Sequence, residues 1–107
     1  MLNFFKKLFR PEKTSESLHS ILAQGALLVD VRNPTELESG QVPGAMNIPL
    51  SQVASNLDAF KHQKHIIVYC RTGSRAAAAQ TILQSNGIKN VSNGGSWKQV
   101  NEAMQSI

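Results

Sequence analysis

The stretch "IIVYCRTGSRAAAAQTILQSNG", residues 66–87, decides the fold. Four apolar residues, Ile66 to Tyr69, run into Cys70, the only cysteine of the chain. A short apolar run bounded by turn signals reads as a buried strand. Arg71, Thr72, Gly73 and Ser74 form a polar loop. Arg75 to Ser85 then reads as a helix, which Asn86-Gly87 stops. A buried strand, a tight loop and a helix in this order are the beginning of a strand–helix–strand unit with parallel strands.

The alternation continues in both directions. Upstream, "ALLVDV" is a second apolar run, bounded by Gly25 and by Asn33-Pro34. Ahead of it, "KTSES" reads as a short extended piece ending in a Ser cap, and Leu18, Ile21 and Leu22 then follow at helical spacing. "NPTELESG" reads as a capped turn and brief helix, and "VPGAMNIPL" as a Pro-Gly turn and a strand around Ala45 to Ile48. In "SQVASNLDAF", Val53, Leu57 and Phe60 share one helical face. Downstream, "KNVSN" reads as a last strand, Gly94-Gly95 as a turn and "SWKQVNEAMQSI" as a closing helix. The pattern predicts an α/β fold, a central and mostly parallel sheet of about five short strands with helices on both faces.

Composition narrows the class. A chain of 107 residues suits one domain with one core. No apolar run reaches the ~18 residues of a membrane-spanning helix. A lone cysteine cannot form an internal disulfide, and His19, His62 and His65 lack the paired spacing of a metal site, so neither metal nor cofactor is expected. The net charge of +4 is concentrated at the start. Lys6, Lys7, Arg10 and Lys13 against Glu12 leave a single net positive charge for everything after residue 13. That is too little for a phosphate-binding stripe, and nucleic acid is not an expected partner.

The opening "MLNFFKKLFR" forms its own unit. Wound as a helix, Met1, Leu2, Phe4, Phe5, Leu8 and Phe9 fall within roughly 160° of arc, opposite Asn3, Lys6, Lys7 and Arg10. Pro11 stops the pattern. The expected organisation is an amphipathic extension over residues 1–11 and a domain over residues 12–107. The extension either packs on its own domain or docks, through residues 1–10, on an anionic membrane or a partner.

The chemistry converges on Cys70. In a parallel sheet, sites form beyond the carboxyl ends of the strands, which is where this thiol falls. The helix that follows offers unpaired N–H groups and a partial positive charge. Gly73 permits a tight turn whose N–H groups point inward. Arg71 and Arg75 add full charges. Such surroundings lower a thiol pKa and suit a nucleophilic thiolate that receives anions. The bland alternative is a small buried hydrophobe at a strand end.

Three blocks resemble the single-domain rhodanese family of sulfurtransferases. They are "LLVDVRNPTELESGQVPGAMNIPL" at 27–50, "IIVYCRTGSRAAAAQTILQSNGIKNV" at 66–91, and "NGG" at 93–95 followed by an aromatic residue. Two departures stand out. Gln41 lies where the family commonly has histidine, and Trp97 sits nearer the glycine pair than the family's usual tryptophan. The resemblance implies a rhodanese-like three-layer fold and transfer of a sulfane sulfur from a small anionic donor such as thiosulfate, through a persulfide on Cys70, to a thiol or cyanide acceptor. The substrate-binding set would be Arg71, Thr72, Gly73, Ser74 and Arg75. Arg71 and Arg75 would attract the donor, the loop N–H groups would hold the persulfide, and Thr72 and Ser74 could donate hydroxyls. Asp30 and Arg32 read as structural, with Arg32 paired to Glu36. A monomer is expected, cytoplasmic or peripheral to a membrane. Two other classes stay open, a non-enzymatic persulfide carrier and a cysteine phosphatase or arsenate reductase. Those last enzymes carry five residues between cysteine and arginine, whereas four separate Cys70 from Arg75.

Overall fold

The computed structural model describes residues 15–107; the amphipathic extension expected at residues 1–11 lies outside them. Helix α1 (Ser15–Ala23) leads to strand β1 (Leu27–Asp30), a 3-10 turn (Pro34–Ser39) and strand β2 (Met46–Asn47). Helix α2 (Leu50–Val53) and a second 3-10 turn (Leu57–Phe60) precede strand β3 (Ile66–Cys70). Helix α3 (Ser74–Ser85), strand β4 (Val91–Ser96) and helix α4 (Trp97–Gln105) complete the chain. The strands form one parallel sheet in the order β2-β1-β3-β4.

Strand β3 is buried on both faces, and its side chains alternate between two layers. Ile66, Val68 and Cys70 join Val29 and Val31 in a core with Val53, Phe60, Ala76, Ala79 and Leu83, under α2, the second 3-10 turn and α3. Ile67 and Tyr69 join Leu28 in a second core with Leu18, Leu22 and Val100, under α1 and α4. The sheet is therefore covered on both sides, as the alternation predicts.

Three local readings change. The described residues form four strands; of the extended segment expected at 13–17, residues 13 and 14 lie outside them and Ser15 already begins α1. The helix expected over "SQVASNLDAF" divides in two. Ser55 Oγ and Asn56 Nδ2 turn back to the Gln52 carbonyl at 3.1 and 2.8 Å, so side chains compete with the helical ladder. Val53 and Phe60 remain buried across the break. The Gly94-Gly95 turn is instead part of β4. Val68 pairs with Asn93 and Cys70 with Ser96, so β4 advances three residues against two of β3 in a bulge. Gly94 is required there, since a Cβ would come within 2.8 Å of Ile67 Cγ2 and Val100 Cγ2.

Beyond β1, the chain buries a charged pair. Arg32 donates from Nε to Asp30 Oδ1 and Oδ2, both at 3.0 Å, and from a terminal nitrogen to Oδ2 at 2.7 Å. Asp30 and Arg32 are only 2% and 1% exposed. The guanidinium also donates to the carbonyls of Glu36 at 3.2 Å and Gly40 at 2.8 Å. The expected partner, the Glu36 carboxylate, is replaced by Asp30. In an extended segment, residues two apart share a face, and the Asn33-Pro34 turn carries the Glu36 side chain elsewhere. Asn47 Nδ2 donates to the carbonyls of Asp30 and Arg32, each at 2.9 Å, and ties β2 to this corner.

Removing one member of a buried pair strands the other charge, at a cost of about 3–5 kcal/mol. Asp30→Asn should lower the unfolding free energy by about that amount in urea titrations. A loss below about 1 kcal/mol would show that the Glu36 and Gly40 carbonyls alone compensate Arg32.

Candidate active site

Cys70 ends β3, and the chain must turn at once to begin α3. Gly73 makes the turn at φ +100°, in the left-handed region. The turn wraps the loop around the sulfur, and Gly73 N–H donates to Cys70 Sγ at 3.0 Å. Burial pushes the thiol pKa up, but the backbone N–H groups of Ala76, Gly73, Thr72 and Arg75 outweigh it and bring it below the ordinary value. The N-terminal turn of α3 and the loop therefore act together on one atom, favouring thiolate. Cys70 itself has no solvent exposure.

The remaining expected site residues divide by role. Thr72 Oγ1 and Ser74 Oγ lie 3.4 Å apart on the exposed rim. Arg71 is exposed and, with Thr72, lines a cleft of about 350 Å³. Arg75 is half-buried and donates to both carboxylate oxygens of Glu36, at 2.6 and 2.9 Å. Its side-chain charge is thus matched within the protein, while its N–H faces the sulfur. Glu36 also accepts from Asn33 N–H at 3.0 Å. The Arg75 guanidinium first, and that N–H second, hold the carboxyl at about 2.

Several residues join the site that the local pattern did not single out. Asn93 Nδ2 donates to the Gly73 carbonyl at 3.0 Å, and Asn93 Oδ1 accepts from Gly95 N–H at 2.8 Å. One amide thereby fastens the loop to the glycine pair. The approach is close, because a Cβ on Gly73 would meet Gly95 Cα at 3.4 Å. Trp97 and Lys98, at the start of α4, form another wall of the cleft, with Ser39 and Glu36. Ser96 fixes that start, since its Oγ accepts from Gln99 N–H at 3.1 Å and its N–H donates to Gln99 Oε1 at 3.0 Å. The indole packs against Gly40 and lies 5.1 Å from the Arg32 Cζ. An Asn immediately before a Gly-Gly pair and an aromatic at a helix start were the available signals.

Other candidates fall outside. Gln41 is exposed and does not line the cleft. His19 contacts the Ser106 carbonyl at 2.9 Å, and His65 contacts Gln24 Oε1 at 3.2 Å. No cluster of metal-ligating side chains occurs among the described residues.

Residues 14–103 match the model of the rhodanese-like domain. A sulfurtransferase of Allochromatium vinosum is 33% identical over 84 residues, covering 77% of this chain and 78% of that one. The human thiosulfate:glutathione sulfurtransferase is 34% identical over 92 residues, covering 72% of this chain and 80% of that one. The solved structure of a human single-domain sulfurtransferase superposes with a TM-score of 0.68 at 32% identity, covering 81% of this chain and 91% of that one. With the buried thiol, its N–H cradle and the closing glycine pair already in place, the match shows that the chain belongs to the rhodanese-like domain family.

Proposed function

We propose that the protein is a sulfurtransferase that carries sulfane sulfur on Cys70. The observation that carries this reading is the Cys70 sulfur, buried at a strand end and facing a ring of backbone N–H groups. The Cys70 thiolate attacks the outer sulfur of thiosulfate. A new S–S bond forms, the S–S bond of the donor breaks, and sulfite leaves with its electron pair. The terminal sulfur of the persulfide carries the negative charge, and the N–H groups from Arg71 to Arg75 stabilise it. A thiolate or cyanide then attacks that terminal sulfur, and Cys70 leaves as thiolate. No net oxidant or reductant is consumed. Cys70 is fully buried and is not among the residues that line the cleft, so reaction with a donor requires the loop around Sγ to open. A general base is unnecessary where the thiol is already ionised. The working compartment proposed is the cytoplasm, where a lone thiol such as Cys70 stays reduced.

Incubation with thiosulfate should add one sulfur to Cys70, read by mass spectrometry. Cys70→Ser should abolish transfer to cyanide with the circular dichroism spectrum unchanged, since a serine hydroxyl is not ionised at neutral pH. Near wild-type turnover in that variant would overturn the assignment. A dedicated carrier would instead load one sulfur and fail to turn over with either acceptor.

The pH dependence follows from the lowered thiol pKa. The reactive species is the deprotonated form, so loading should rise with pH and level off below the pH at which an ordinary thiol ionises. An inflection at or above the ordinary thiol value would mean that burial, and not the N–H groups, controls the sulfur.

The short loop argues against phosphate chemistry, and no Cys70-dependent hydrolysis of para-nitrophenyl phosphate is expected. Hydrolysis at a rate rivalling sulfur transfer would favour a phosphatase.

A further inference from the structure

Charge accounting around the cleft separates four cations into two kinds. Arg32 is buried and matched by Asp30 at 2.7 Å. Arg75 is matched by Glu36 at 2.6 Å. Arg71 and Lys98 are both exposed and both line the cleft, and among the described residues neither has a carboxylate within 4 Å. They come from different elements, the loop after β3 and the first turn of α4. The N-terminal end of α4 adds partial positive charge of the same sign. Lys98 Nζ lies 5.8 Å from the Trp97 ring centroid, a distance at which the indole face attracts the ammonium and keeps it over the cleft.

We propose that Lys98, with Arg71, makes the cleft a charge filter that favours sulfur substrates with two negative charges over those with one. The class of substrate rests on the sulfur-transfer reading, but the charge preference does not. Coulomb attraction scales with the product of charges. Removing one cation therefore weakens a dianion by twice the free energy it costs a monoanion of the same size and position. Arg75, expected from sequence to attract the donor through its charge, contributes little to this preference, because Glu36 already matches it.

Trp97 is the only tryptophan and lines the same cleft, so its fluorescence reports occupancy without turnover. Sulfate and methanesulfonate serve as unreactive dianion and monoanion, titrated at constant ionic strength into the wild-type protein, Lys98→Ala and Lys98→Arg. The wild-type protein should bind sulfate more tightly. Lys98→Ala should weaken sulfate about fivefold, as expected for one exposed charge, and methanesulfonate about twofold, half that free energy. Lys98→Arg should keep the wild-type preference. Equal binding of both anions by the wild-type protein, equal losses for both in Lys98→Ala, or a Lys98→Arg variant that behaves like Lys98→Ala would each overturn the filter. Dianion preference in a protein that never loads sulfur on Cys70 would support the filter and sink the sulfur-transfer reading instead.

Discussion

The Arg32 guanidinium holds one wall of the cleft together. An arginine cannot shed its charge inside a protein, so a buried one must be surrounded by acceptors. Asp30 supplies a carboxylate from the end of β1, and Glu36 and Gly40 supply carbonyls from the segment that follows. The planar head also lies against Trp97. One side chain therefore joins a strand end, a 3-10 turn and the start of α4, three parts of the chain with no regular hydrogen-bond ladder between them. The rigid fork of arginine suits this task, and a lysine would not replace it.

The loop that brings Arg71 and Thr72 to the cleft as a second wall is governed by a conflict at Cys70, beneath it. Burial in an apolar core favours the neutral thiol, whereas converging N–H groups favour thiolate, and the second effect wins. It wins because the loop is held shut around the sulfur. Gly73 reverses the chain, Asn93 fastens the Gly73 carbonyl, and the Glu36–Arg75 pair anchors the first turn of α3 to the segment organised by Arg32. The two walls are thus linked through Glu36, whose carbonyl serves one and whose carboxylate serves the other.

Much of this was legible in the sequence, and the boundary is physical. The β3–loop–α3 unit was readable because hydrophobic run, glycine and helix stop are all local signals. The division of residues 50–60 was not, since it depends on Ser55 and Asn56 turning back on one carbonyl. The sequence reading paired Arg32 with Glu36, whereas extended geometry selects Asp30, the residue two positions earlier. The Glu36–Arg75 pair spans 39 positions, and no periodicity encodes it. Lys98 and Arg71 lie 27 positions apart, and only the fold brings them to one cleft. The amphipathic start remains a pattern in sequence alone, outside the described residues.

The bulge at Gly94-Gly95 has a consequence at the rim of the sheet. Among the described residues, strand β4 is one edge, and β2, at the other edge, is only two residues long. An exposed edge with regular N–H and C=O spacing is a template on which a foreign strand can add. Here one edge is too short to serve and the other is broken in register by the glycines that meet the loop after Cys70. The backbone irregularity that helps shape the thiol's surroundings therefore also makes β4, as the described residues present it, a poor template for a foreign strand.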